Sequence, residues 1–198
     1  MQEYSLSILL LFQLFLIFLN AVFACTEIAV ISMNDGKLKK MAEDGNKRAK
    51  KLLSLTKEPA GFLATIQVGI TLAGFLGSAF AADNFSDRIV LFLTEAGITV
   101  SAQKLDVFAV LFITIILSYV TLILGELVPK RIGMQYTEKI ALFMAYPIYG
   151  IAKIFAPIVW FLTFSTNFVL KICYILHFML VNTYWQIYSI INLYNFFF

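Results

Sequence analysis

The sequence predicts an all-α membrane protein: three transmembrane helices, a basic juxtamembrane helix, and short belt or re-entrant helices. Three observations carry that reading. Hydrophobic residues make up 61% of the chain and charged residues only 14%, well under the quarter or so typical of a soluble domain. The apolar residues gather into runs long enough to cross a bilayer. The basic residues cluster, with eight of the fifteen Lys and Arg between Gly36 and Glu58. The two cysteines, Cys25 and Cys173, and the single His177 all lie in apolar sequence. Neither a disulfide framework nor a His/Cys metal cluster is therefore expected. No catalytic constellation stands out, and the chain reads as a non-enzyme.

The first apolar run extends from Ser5 to Ser32, interrupted by Gln13, Asn20 and Glu27. It lacks a basic leader and is too long for a cleaved signal, so it reads as a retained span. Glu27 follows Thr26 near the end of this helix and has either a functional role or a carboxylate reaching for the headgroups.

Residues 36–58 then change character. Lys37, Lys39, Lys40, Lys47, Arg48, Lys50 and Lys51 accompany Leu38, Met41, Ala42, Ala49, Leu52 and Leu53 at helical spacing. A basic amphipathic helix of this kind lies on a membrane surface or against its own bundle. Being tied between two spans, it is not expected to bind nucleic acid. The concentration of Lys and Arg places this segment in the cytoplasm and the N-terminus outside.

The second span is expected over Gly61–Ala82. Gly69, Ala73, Gly77 and Ala81 form a small-residue face suited to close helix approach. Gln67, Thr71, Gly74 and Ser78 fall on roughly the opposite face. The segment from Asp83 to Asp106, with four acids against Arg88 and Lys104, reads as an outer loop.

The third span, residues 107–127, is charge-free from Val107 to Leu124 and then meets Gly125-Glu126-Leu127-Val128-Pro129-Lys130. A charge at bilayer depth costs roughly 2.5–3.5 kcal/mol on insertion scales and is usually paired, wetted or functional. Pro129 is expected to break or bend the helix and to free carbonyls beside Glu126. The plain alternative is a helix end at the interface with Glu126 solvated. Counting residues back from the expected cytoplasmic ends puts Glu27, Gln67, Thr71 and Glu126 at nearly one level. Oxygen donors without histidine or thiolate suit a hard cation such as magnesium, calcium or sodium. Beyond it, Ile140–Leu170 is interrupted by Pro147, Gly150, Lys153 and Pro157, which suggests short re-entrant or belt helices.

Four motifs occur in order: Thr26-Glu27-Ile28-Ala29; the helix with Glu43-Asp44-Gly45-Asn46-Lys47-Arg48-Ala49; Phe62-Leu63-Ala64-Thr65-Ile66-Gln67-Val68-Gly69; and Gly125-Glu126-Leu127-Val128-Pro129-Lys130. Together they resemble the transmembrane domain of the CorC/cyclin-M (CNNM) magnesium transporter family, whose bacterial members are often labelled hemolysin C-like. The resemblance covers roughly residues 5–171. It implies a homodimer, three spans per protomer, a belt of short helices, and transport of a divalent cation. Magnesium is the implied ion, with sodium as an exchange partner, in a bacterial plasma membrane. By position it matches Thr26, Glu27 and Glu126 to the family's hydroxyl and two glutamates. Thr26 and Glu126 are then expected to hold the ion, with Glu27 shaping the turn or supplying charge, and Gln67 and Thr71 of the polar face as secondary contributors. Ala24 and Ile70 stand where many members carry a serine and an asparagine. Two rival readings are a cation-binding membrane sensor or scaffold without transport, and a membrane-damaging hemolysin.

The family's cytoplasmic CBS pair, which binds ATP, is not expected in this chain, nor is a bound nucleotide. Residues 172–198 contain no Lys, Arg, Asp or Glu. They read as an atypical apolar tail following a domain over 1–171, consistent with a truncated or frameshifted reading frame. The orientation is tested by cysteine labelling of intact cells. A Lys47→Cys variant should stay unlabelled by an impermeant reagent until the cells are opened, and labelling from outside would reverse the topology.

Overall fold

Each regular element among the described residues is a helix. The computed structural model describes residues 5–95 and 102–197, with side chains over 5–95 and 104–174. The elements are α1 (Leu6–Ile31), α2 (Asp35–Glu43), α3 (Lys47–Thr56), α4 (Pro59–Glu95), α5 (Ala102–Leu122), a π-helical turn (Ile123–Leu127), α6 (Val128–Gln135) and α7 (Thr137–Phe197). They divide into two compact units, Met1–Phe155 and Ala156–Phe198. Everything that positions the site lies in the first.

α1 is the element on which its neighbours pack. Leu9, Gln13, Leu16, Ile17, Asn20 and Ala24 are buried at helical spacing along it. The expected small-residue face of α4 meets it, with Gly69, Ala73, Gly77 and Ala81 all buried. A Cβ on Gly69 would lie 2.7 Å from the Phe23 ring, and one on Gly77 3.3 Å from the Gln13 amide nitrogen. As residue numbers rise on α4 they fall on α1, so the two helices are antiparallel. On another side of α1, a Cβ on Gly125 would lie 3.1 Å from the Asn20 amide nitrogen, and one on Gly133 2.5 Å from the Cys25 carbonyl. Here both numbers rise together, so α1 runs parallel to the π-turn and α6. Small residues permit these backbone approaches without a hydrophobic drive between helices in lipid.

The basic segment forms two helices rather than one. Gly45 takes φ +95°, a conformation that favours glycine, and the chain turns there. Asn34 caps α2 by accepting from the Lys37 N–H at 2.9 Å. Asn46 caps α3 by accepting from the Arg48 and Ala49 N–H groups at 3.0 and 3.1 Å. Such caps satisfy donors that a helix start leaves orphaned. Of the two placements open at the sequence level, the segment packs on its own bundle. Leu38, Ala42, Ala49 and Leu52 share a core with Ala29, Val30, Met33, Phe62, Ile66, Ala141, Ala145 and Ile148. An ion pair from Lys37 to Glu138 joins α2 to the first turn of α7, and the Lys51 ammonium lies 3.6 Å from the centre of the Tyr149 ring.

Three expectations are corrected. α4 does not end near Ala82 but continues to Glu95. Residues 83–95 contain neither Gly nor Pro, and Asn84 donates back to the Phe80 carbonyl at 2.8 Å. Of the break or bend expected at Pro129, the helix does not break; it is distorted into the π-turn, which leads directly into α6, with the Val128 N–H reaching the Ile123 carbonyl. Ile140–Leu170 is not a set of short helices but part of the continuous α7, which carries both Pro147 and Pro157 within it. A proline removes one donor, a loss that bends a membrane helix without ending it. Among the described residues, four helical segments are long and apolar enough to cross a bilayer. Residues 96–101 of the expected outer loop, and the side chains of the tail from 175 onward, His177 among them, lie outside the described residues.

The α1–α6 contact sets a stability test. Gly133→Ala places a methyl group against the Cys25 carbonyl and should cost about 1–3 kcal/mol, read as a lowered melting temperature in detergent. Gly61→Ala, with nothing within 4 Å of the added carbon, should be close to neutral. Equal stability of the two variants would contradict the packing.

Candidate cation site at the π-turn

The site begins with a missing donor. In an α-helix the N–H of residue 129 would bond the carbonyl of residue 125, and proline has none. The Asn20 amide of α1 takes that place, donating to the Gly125 carbonyl at 3.2 Å. The carbonyl expected to be free for a cation is thus engaged. The wide turn that accommodates Pro129 carries Glu126 as its fourth residue, and π-turns inside helices are frequent at functional sites.

Glu126 lies four residues before Lys130, and the Lys130 ammonium sits 2.7 Å from its Oε1. The same ammonium lies 3.5 Å from Oε2 of Glu27 on α1. Two of the predicted carboxylates are therefore brought together, but through a lysine. All three side chains are partly buried, where a charge without a partner is expensive. One ammonium against two carboxylates leaves the cluster with a net negative charge.

The expected common level is only half met. Gly69 beside Phe23, and Gly125 beside Asn20, place Thr71 and Glu126 near the depth of Asn20. Glu27 stands seven residues further along α1, about 10 Å of rise. Lys130 spans that offset with its long stem. Thr71 and Glu126 do share a cavity of about 460 Å³ between α1, α4 and α5. Gln67 is exposed and does not line it; its amide donates to the Thr71 hydroxyl at 3.5 Å. Thr26 is buried, and its hydroxyl donates to the Val22 carbonyl of its own helix at 2.7 Å. Its proton is committed there, leaving its lone pairs for other partners. Ala24 is fully buried and Ile70 packs against the apolar core, so at both departures from the family pattern an apolar side chain takes up core volume.

Among the described residues no three His, Cys, Asp or Glu side chains gather as a metal-holding group. Any cation here relies on one or two carboxylates with neutral oxygens or water. That donor set suits magnesium, which sheds water reluctantly and is commonly held by few carboxylates.

Sequence reasoning missed Lys130, Asn20 and Gln13. Lys130 was legible as an i,i+4 partner of Glu126. Asn20 and Gln13 were visible as amides in an apolar run, and both are buried.

Comparison with known proteins also points to a transmembrane domain. Residues 11–184 match the family described as the cyclin M transmembrane N-terminal domain. A UPF0053 protein of Synechocystis is 34% identical over 85% of this chain and 37% of its own length. The UPF0053 protein YrkA of Bacillus subtilis is 30% identical over 81% of this chain and 36% of its own length. A protein of Escherichia coli named polyamine export protein is 27% identical over 79% of this chain and 34% of its own length. The chain therefore spans little more than a third of the curated relatives it matches.

Proposed function

Because the chain belongs to the cyclin M transmembrane family, we propose that it is a membrane module that moves a divalent cation, magnesium, rather than an enzyme. The observation that carries this reading is the convergence of Glu27 and Glu126 on one positive charge, beside a cavity in the helix bundle. A group already built to hold an ammonium between two carboxylates has the charge and oxygen donors that a dication requires. Lys130 then acts as a tethered competitor. It neutralises the carboxylates while no ion is present and moves aside when one arrives. Thr71 adds a hydroxyl on the cavity side, Thr26 offers lone pairs from α1, and Gln67 orients Thr71.

In this reading α1, α4 and the α5–α6 segment are the three crossings. The Thr137–Phe155 part of α7 rests on the basic helices at the cytoplasmic end. The N-terminus is outside, two copies form the working unit, and sodium is the exchanged ion. The setting is a bacterial plasma membrane, consistent with the bacterial relatives.

A second reading has a specific observation behind it. The ion seen between the carboxylates is itself a primary ammonium, and one relative is named for polyamine export. A linear polyamine would present the same head group on an apolar stem.

Flux through proteoliposomes decides among these. Magnesium flux should fall about tenfold or more in Glu126→Gln, since the reading makes this carboxylate a primary ion ligand. Unchanged flux in that variant overturns the site. Wild-type binding without flux would indicate a sensor, release of an entrapped dye would indicate a membrane-damaging protein, and spermidine flux without magnesium flux would favour the second reading.

A further inference from the structure

The cavity beside Glu126 extends well beyond the reach of that carboxylate. It is lined by Gln13 from α1, Thr71 and Ser78 from α4, and Ser118, Thr121 and Glu126 from α5 and the π-turn. Thr71 and Ser78 are seven residues apart on one helix, about 10 Å along its axis. Ser118 and Glu126 are separated by a similar distance. Donors spread this far cannot converge on one bare ion at the 2.0–2.1 Å that magnesium demands.

The spacing and volume fit an ion that keeps its water. A six-coordinate hydrated magnesium is about 7 Å across, and its six waters occupy about 180 Å³. The cavity holds about 460 Å³. Hydroxyls and amides accept hydrogen bonds from the outward-pointing protons of such a shell. The structure also contains an acceptor in want of such donors. Gln13, which lines the cavity, is 7% exposed, and its Oε1 is turned away from the cavity into a buried position without a hydrogen-bond partner. An unsatisfied acceptor buried in a membrane-embedded region carries a standing cost of desolvation. A half-turn of the Gln13 amide would bring that oxygen round to the cavity, where donors carried by a ligand would relieve the cost.

We propose that this cavity is a second cation subsite, which takes the ion as an intact hydrate. The Gln13 amide and the Ser78 and Thr71 hydroxyls would hold the shell water, and Glu126 would supply the countercharge at one end. The subsite rests on the cation-transport reading above and extends it. Gln13 lies about 20 Å from Glu27 along α1, on the side away from the basic helices. An ion would thus be held with its water on that side, against Glu126, at a distance from Glu27.

Cobalt(III) hexaammine tests this directly. It has the size and outward hydrogen-bond donors of the magnesium hydrate but does not exchange its ligands, so it can occupy only an outer-shell site. Equilibrium dialysis against the purified chain in phosphatidylcholine nanodiscs, with metal analysis, should show saturable retention by the wild type. Gln13→Leu, which keeps apolar bulk but removes the amide, should weaken retention about tenfold, as expected for losing hydrogen bonds to a charged ligand. Gln13→Glu should tighten it. Wild-type protein that moves magnesium yet does not retain the complex overturns the subsite, as do Leu and Glu variants that bind it like wild type. Retention with this Gln13 dependence but without magnesium flux leaves the subsite standing and removes the transport reading instead.

Discussion

Holding Glu27 and Glu126 on adjoining helices within a membrane requires a positive charge between them, and Lys130 supplies it. At an effective dielectric of about 20, a unit pair at 4 Å is worth about 4 kcal/mol. Partial exposure of all three side chains screens this interaction, which brings the cost of losing the lysine to about 1–3 kcal/mol. The surrounding contacts serve this arrangement. Gly125 and Gly133 bring the π-turn and α6 against α1, and Asn20 replaces the hydrogen bond that Pro129 cannot make. The small face of α4 closes on the other side of α1. A helix with an ordinary residue at 129 would have no need of Asn20, and one with a large residue at 133 could not approach Cys25.

Much of this was legible in the residues. The four-residue repeat from Gly69 to Ala81 identified a packing face because small side chains have few other uses in an apolar helix. Asp44-Gly45-Asn46 held the break between α2 and α3 in plain view, but the apolar stripe on both sides read as one helix. The level of Glu126 was not legible by counting from a helix end, because the helical path runs past Pro129 and α6 continues to Gln135. Lys130 entered only as the last residue of its motif. Its position one turn after Glu126 was the better guide. Gln13 and Asn20 were noted only as interruptions, since periodicity treats a polar residue in an apolar run as noise. Their role depends on which neighbour lacks a partner, and that is decided by tertiary contact.

The arrangement also bears on selectivity. Two carboxylates already satisfied by a lysine bind an ion only if it displaces the ammonium. Dications gain more from a carboxylate pair than monovalent ions do. On the proposed cation reading, a tethered ammonium would bias the site toward double charge while preventing an empty, doubly negative state. On the same reading the fully buried Ala24 and the core-packed Ile70 would leave fewer side-chain oxygens for an ion, placing greater weight on water and on the two glutamates.

The competition between lysine and cation is measured most directly by magnesium titration of the purified chain with and without that lysine. Lys130→Met keeps the stem and removes the charge. Magnesium should then bind about tenfold more tightly, and the ion-free variant should be less stable than wild type by about 1–3 kcal/mol, the partly solvated range for losing one partner of an ion pair. A folded Lys130→Met protein with unchanged or weaker magnesium affinity would show that Glu27, Glu126 and Lys130 form a structural ion pair rather than a cation site.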